Sequence, residues 1–327
     1  MKAWHYDKTG PAADVLTRSD LPTPEPGPGE VRVRIAWSGV NPSDVKSRGG
    51  ARPMPFARVI PHSDGSGTID AVGPGVAPGR LGERVWLWNA AWGRCDGTAA
   101  EYCCLPAAQA VPLPDAASGE AGACMGIPAL TAMHAVLMDN GVAGKRVLVA
   151  GGAGAVGHYA VQLASRFGAA QVISTVSSAP KARLAYEAGA DHVIDYKTEP
   201  VVERVAELTQ GRGVDRVIEL DLAANGRTDL ELLSRGGEIV AYGSSPKPLD
   251  LTFFTMLSKN IQLKFFIVYH LEPADRARAT DALQRLLARG ELRHNIAARM
   301  PLEAIVAGHE AVEGGRLVGN LVLQVGG

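Results

Sequence analysis

RVLVAGGAGAVGHYAVQLASRFG, residues 146–168, decides the fold. RVLV is a short apolar run of the kind that forms a buried strand. The glycine-rich stretch from Gly151 contains GxGxxG, with glycines at Gly152, Gly154 and Gly157. Behind it Val156, Ala160, Leu163 and Phe167 recur at helical spacing. A strand, a bare-backbone turn and an amphipathic helix, in that order, form a dinucleotide-binding fingerprint. Missing side chains let the backbone approach a pyrophosphate, and the helix N-terminus offers N–H groups and a partial positive charge. Gly152, Gly154, Ala155, Val156 and Gly157 are therefore the expected phosphate-binding residues. In isolation such a turn serves tight packing alone; the flanking strand and helix favour the nucleotide.

The alternation continues towards the C-terminus. QVISTV (171–176) reads as a second strand and Lys181–Ala188 as a second helix, with further strands in HVIDY, DRVIEL and GEIVAYG near 192, 215 and 237. Strands alternating with helices imply βαβ units and a parallel sheet. A site for NAD places Asp or Glu at the end of the second strand to hold the ribose 2′-hydroxyl. Here Ser174-Thr175-Val176-Ser177-Ser178 holds no carboxylate, and Lys181 and Arg183 follow. Hydroxyls and a cation suit a 2′-phosphate, so the expected cofactor is NADPH, held by Ser177, Ser178 and Lys181.

Upstream, Val31, Val33, Ile35 and Trp37 alternate with Arg32, Arg34 and Ala36, the two-residue period of a half-buried strand. Pro and Gly recur in LPTPEPGPGE (21–30), DGSG (64–67) and VGPGVAPG (72–79), which suits short strands turning into a small barrel. The 327 residues predict two domains. With 33 Lys and Arg against 34 Asp and Glu, no basic excess steers the chain to nucleic acid. No apolar stretch approaches the ~20 residues of a membrane span, and MKAWHYDKTG lacks the apolar core of a secretory signal. The four cysteines, Cys95, Cys103, Cys104 and Cys124, form no CxxC pair. Free thiols in a cytoplasmic enzyme are the expected reading.

Beyond these motifs, the segments GVNPSDVKSRGG (39–50), PHSDGSGTIDAVGPGV (61–76), GTAAEYCCLP (97–106), MGIPALTA (125–132) and EAGADHVIDY (187–196) keep one order and spacing over nearly the whole chain. In these the sequence resembles the medium-chain dehydrogenase/reductase superfamily and, within it, the zinc-free quinone oxidoreductase (zeta-crystallin-like) family. The resemblance implies an α/β protein in which a Rossmann doubly wound sheet, residues 123–262, is inserted into a mainly β, GroES-like catalytic domain, residues 1–122 and 263–327. It implies an active site in the cleft between domains, with Asn41 near nicotinamide and substrate and Thr131 on the nicotinamide ribose side. Lys181 and Tyr196 would hold the 2′-phosphate end, while Tyr242, Gly243 and Asn320 would line the cofactor. Relatives are dimers or tetramers joined through an outer strand, expected here near Ile261–Phe266. Two departures stand out: Lys46 where the family usually has Tyr at the substrate cleft, and Asn320 where many relatives carry Lys.

Zinc-dependent relatives share this fold, but the ligands are missing here. Catalytic zinc needs three converging Cys, His or carboxylate ligands. The first ligand segment reads Asn41-Pro42-Ser43-Asp44, the second His62-Ser63-Asp64 with Ser63 at the histidine's place, and the third position falls at Met125. His62 reads as a polar neighbour of a turn and Cys124 as a small buried hydrophobe. No metal is expected. The expected reaction is hydride transfer from NADPH to a quinone, with the activated double bond of an enone or enal as the alternative acceptor. Asn41 or Thr131 would donate to a developing oxyanion. Trp86, Trp88 and Trp92, and Phe265, Phe266 and Tyr269, are aromatic groups able to wall a planar substrate or simply to fill core and interface. Lys46, Trp88 and Tyr269 are the substrate candidates. A non-enzymatic crystallin-like or RNA-binding role is the reading from another class; near-neutral charge argues against RNA.

Overall fold

A computed structural model describes residues 1–54 and 56–326. Packing divides the chain into two units, Met1–Pro128 with Gln284–Gly327, and Ala129–Leu283.

The second unit holds six parallel strands: β1 Arg146–Val149, β2 Gln171–Val176, β3 His192–Asp195, β4 Val214–Glu219, β5 Leu233–Ala241 and β6 Gln262–Phe265. They lie in the order β3-β2-β1-β4-β5-β6. The order reverses between β1 and β4, and in such sheets ligands bind outside the carboxyl ends at that reversal. Sequence explains the placement. Val147, Leu148, Ile173, Val217 and Ile239 are fully buried, as a sheet with helices on both faces requires. The helix Ala155–Arg166 buries every residue from Gly157 to Ala164. The later crossing at Gln284, beyond the 263 expected from sequence, has a simple cause. Gln262–Phe265 pairs with β5 and so belongs to this sheet, and the long helix Pro273–Ala288 follows it.

A buried charge cluster fixes the helix Leu130–Leu137 to this sheet. Arg216 of β4, fully buried, donates to Glu238 of β5 at 2.7 Å and to the carbonyls of Ala135, Val136 and Met138 at 2.9, 3.3 and 3.2 Å. Those are the orphan carbonyls at a helix C-terminus, where a cation is favoured. Lys145 also donates to Glu238, at 2.7 Å, as does Lys264.

In the first unit Glu30–Val40 is the central strand, paired antiparallel with Asn320–Gln324, Asp64–Val72 and Tyr102–Pro106. Arg84–Leu87 and Ala110–Pro112 extend the sheet from Asp64–Val72, and Ile296–Pro301 pairs with Asn320–Gln324 on the other side. Val31, Val33 and Ile35 face the core as their alternation predicts. Trp37 does not. The register shifts between Ile35 and Trp37, so Ser38, Gly39 and Val40 become the buried run and Trp37 is left half-buried. A bulge breaks the two-residue period and re-aims the strand end that leads to Asn41. Among the described residues no helix is long and apolar enough to cross a membrane.

Candidate active site

In the nucleotide-type unit, the three glycines of the fingerprint answer different demands. A Cβ on Gly152 would lie 2.0 Å from Ser174 Oγ, and one on Gly157 would lie 2.2 Å from the Gly151 carbonyl. Strand and helix pack too closely there for any side chain. On Gly154 a Cβ would meet only the Gly151 carbonyl, at 3.2 Å, with nothing else nearby. Packing therefore demands glycine less at this position, and its bare face leaves backbone open to a ligand. Gly154 is also the N-cap of the helix Ala155–Arg166, and no side chain caps it. Ala155 and Val156, both half-buried, form the first turn, the end with affinity for anions.

The end of β2 bears the predicted hydroxyls and cation. Lys181 Nζ donates to Ser177 Oγ at 2.8 Å, so the ammonium is drawn back over the strand end. Ser178 is the N-cap of the helix Ala179–Glu187, again with no side-chain cap bond. Tyr196 follows β3 and is exposed, with its N–H on the Val176 carbonyl at 3.0 Å. The nearest acid in the neighbouring strand, Asp195, accepts the Lys197 N–H at 3.1 Å.

Past β5, Tyr242 and Gly243 border a cavity of about 430 Å³ that Leu222, Ser245, Lys247 and Phe266 also line. Gly243 is held tight: a Cβ there would fall 2.3 Å from the Leu220 carbonyl. Thr131 is buried on the helix that Arg216 anchors. Tyr269 is buried as well, its carbonyl accepting from Arg276 at 3.3 Å, whereas Phe265 is exposed on the sheet edge. At the end of β4, Glu219 is buried beside Asp229 of the helix Leu222–Leu232. Glu219 accepts from the Asp221 N–H at 2.5 Å and from Asn225 at 3.0 Å.

In the first unit, Asn41 is the buried N-cap of the helix Pro42–Arg48. It lies between two acids. Its N–H donates to Asp44 Oδ2 at 2.8 Å, and its carboxamide donates to Asp64 Oδ2 at 2.9 Å. Burial pushes Asp44 up to about 7 and Asp64 well above the usual carboxylate range. Lys46, on the same helix, is exposed. The tryptophans part company: Trp86 is fully buried with its indole on Gln284 at 3.0 Å, Trp88 is half-buried, and Arg52 sits 5.0 Å above the Trp92 ring. Trp86 thus belongs to the core. Asn320 is buried and donates from backbone and side chain to the Asn295 carbonyl, at 2.8 and 3.1 Å.

His62 departs from its expected place as a turn's neighbour. It is fully buried at φ +77°, stacks on His309 with ring centroids 5.1 Å apart, and shares Nε2–Nε2 contact at 2.9 Å. Donor counting fixes the direction of the chain that runs from it. Thr98 Oγ1 donates to the Asp64 carbonyl at 2.5 Å, so Ser38 Oγ, 2.7 Å away, must donate to Thr98. Ser38 then accepts from His62 Nδ1 at 2.8 Å, and His62 Nε2 accepts from His309. The one ring nitrogen left over, His309 Nδ1, is an acceptor without a partner. Both rings must be neutral for this to hold. Burial lowers His62 well below the usual range and His309 to about 3.

Sequence reading missed Asp64, Asp44, His309, Glu219 and Asp229. Asp64 stands in the quoted PHSDG segment, but no periodicity marks a buried carboxyl. Among the described residues no group of three or more His, Cys, Asp or Glu is arranged to hold a metal ion. All four cysteines are free, and burial pushes the Cys103 and Cys104 thiols up to about 12.

This pairing of a β-rich unit with a 3-2-1-4-5-6 sheet defines a class, and comparison with known proteins agrees. Residues 27–115 match the alcohol dehydrogenase GroES-like domain, and residues 155–287 the domain described as zinc-binding dehydrogenase. The latter stretch contains no cysteine. Quinone oxidoreductase of Pseudomonas aeruginosa is 31% identical over 315 residues, 95% of each chain. Among solved structures, an NAD-dependent alcohol dehydrogenase is 32% identical with a TM-score of 0.90 over 100% of both chains. Escherichia coli quinone oxidoreductase complexed with NADPH is 27% identical with a TM-score of 0.87, over 99% of this chain and 100% of that one. The chain is a medium-chain dehydrogenase/reductase, and belongs to the zinc-free quinone oxidoreductase family within that superfamily. It is an oxidoreductase.

Proposed function

We propose that this enzyme is an NADPH-dependent reductase of quinones. One observation carries the cofactor half: Lys181 and Ser177, 2.8 Å apart at the end of β2, with no acid in Ser177–Lys181 to repel a phosphate. Gly152, Gly154 and Gly157 give the backbone approach, Ala155 and Val156 the helix end, and Ser177, Ser178, Lys181 and Tyr196 the 2′-phosphate grip. Tyr242, Gly243 and Asn320 complete the cofactor set. NADPH supplies the hydride when bound. The chain's own residues orient the acceptor and meet the charge that develops on its oxygen. Asn41 and Thr131, both buried, are the donors for that oxygen, since a donor fixed in a dry setting needs no reorganisation. Lys46, Trp88 and Tyr269 are the residues assigned to the acceptor. Phe253, Phe254 and Leu257, on the helix that precedes the edge strand β6, and Phe265 within it are exposed, which supports a homodimer or homotetramer that covers this edge. A soluble, cytoplasmic setting fits this reading.

The test is a paired titration. A charge-assisted contact is worth about 1.5–3 kcal/mol, roughly 10- to 150-fold in affinity. NADPH is expected to bind more tightly than NADH by a factor in that range, and Lys181→Ala to remove most of the gap while sparing NADH. Equal affinities in the parent refute the NADPH assignment. A steady-state panel of quinones against enones then decides the acceptor, and preference for enones overturns the quinone half.

A further inference from the structure

We propose that Asp64 is a positioning residue for Asn41, and that it acts as the neutral acid, with its proton on Oδ1. The inference rests on the reading of Asn41 as a donor to the acceptor's oxygen.

The geometry is asymmetric. Asp64 is fully buried, and both N–H donors that reach it, from Asn41 Nδ2 at 2.9 Å and from the Ile127 backbone at 3.1 Å, go to Oδ2. Oδ1 is buried with no hydrogen-bond partner. It faces the backbone of Gly126, where a Cβ would fall 2.4 Å from Oδ1 and equally 2.4 Å from the Leu87 carbonyl oxygen. A carboxylate would spread its charge over both oxygens, and leaving one of them dry is costly. A proton on Oδ1 removes that charge, and the Leu87 carbonyl oxygen borders the same point beside Gly126.

Among the described residues no cation acts on Asp64 to offset its burial. The titratable groups that face Asp64 are Asp44, from the helix Pro42–Arg48, and Cys124, from the turn before Met125. His62, on the strand's approach, is held neutral by the donor chain described above. Burial comes first in raising Asp64, and the charge of Asp44 adds to it. Asp44 is the better place for the one negative charge, since it accepts N–H bonds from Asn41 and Ser63.

The consequence falls on Asn41. Asp64 takes one of the two carboxamide N–H bonds and so fixes the plane of the group. As a neutral acid it does this without setting a negative charge behind the remaining donor. Once ionised, it opposes the growth of negative charge on any oxygen that Asn41 serves. Turnover is therefore expected to fall on the alkaline side as Asp64 loses its proton.

The experiment measures kcat and KM against pH, with NADPH and a quinone, for the parent and for Asp64→Ala, Asp64→Asn and Asp44→Asn. Asp64→Ala should lose kcat by 10- to 100-fold with KM little changed, the range seen when a supporting hydrogen bond is removed. Asp64→Asn keeps an oxygen for the two N–H donors and should recover at least tenfold of that loss, without the alkaline fall. Asp44→Asn removes a neighbouring charge, so its alkaline fall should move to lower pH. The infrared difference spectrum, parent minus Asp64→Asn at neutral pH, should show the band of a protonated carboxyl. An Asp64→Asn enzyme as impaired as Asp64→Ala, or an unmoved alkaline fall in both Asn variants, overturns the proposal. So does a carboxylate band where the acid band is expected. Asn41→Ala with unchanged kcat sinks instead the reading of Asn41 on which the proposal rests. NADPH titration and melting temperature establish that each variant is folded. Should Asp64→Asn fail to fold, the displacement seen with Asp44→Asn decides alone.

Discussion

The two ends of β4 bury charge in opposite ways. Near its start, Arg216 meets Glu238, which Lys145 and Lys264 also serve, and these three cations hold the Glu238 carboxyl down at about 2 against its burial. At its far end Glu219 meets Asp229, and the groups that act on the two acids include no cation. Burial and the Glu219 charge push Asp229 up to about 9. The difference separates scaffold from site. The start of the strand is matched for stability and locks the helix that bears Thr131. The far end lies where doubly wound sheets bind ligands, and there the fold tolerates two acids sharing a proton. Asp44 and Asp64, flanking Asn41, repeat the pattern in the other unit.

The contrast is broken most severely at Arg216. Arg216→Ala leaves Glu238 without its fully buried cation, and breaking such a pair costs about 3–5 kcal/mol. Urea unfolding should show that loss; one below about 1 kcal/mol would mean that Lys145 and Lys264 suffice. At the other end, Asp229→Asn should stabilise. The folded Asp229 keeps a proton up to about 9, whereas the unfolded group gives it up near 3.8. Between those values the folded state binds the extra proton, so stability falls as pH rises. The carboxamide donates to Glu219 without titrating, so at pH 8 a gain on the order of 1–3 kcal/mol is expected. Melting temperatures from pH 5 to 9 should decline in the parent and stay flatter in the variant; parallel curves would dismiss the shared proton. The smallest effect belongs to Lys264→Ala, about 0.5–1 kcal/mol for a partly exposed partner. Its signature is the acid limb. Glu238 contributes stability above about 4.5 that is lost as pH falls towards 2, and the variant should lose less of it on acidification.

Much of the nucleotide-type unit was legible because its signals are local. A strand, a glycine turn and a helix lie within residues 146–168, and each later strand carries its own apolar run. The strand, the glycine turn and the helix behind it could be placed residue by residue for the same reason. Legibility failed where partners are distant in sequence. The bulge at Trp37 depends on pairing with Ser66, which no alternation announces. His62 needed His309, and Asp64 needed Ile127 and Thr98. The return at Gln284 depends on where β6 pairs, and an apolar edge strand reads the same whichever sheet it joins. Trp86 and Trp88 stand two apart, the spacing of a single strand face, yet the strand Arg84–Leu87 ends before Trp88, which is half-buried while Trp86 is core.

The donor chain from His309 to Asp64 has a consequence for the order of synthesis. His309 leaves the ribosome late, long after Ser38, His62 and Thr98. The unit Ala129–Leu283 is one continuous stretch and its sheet can close while translation proceeds. The other unit waits. Until the helix Ile305–Glu313 arrives, His62 Nε2 has no donor and Arg48 lacks Glu313. His62 and Arg48 thus acquire their final surroundings only when the last segment docks, so the half of the enzyme that begins first is finished last.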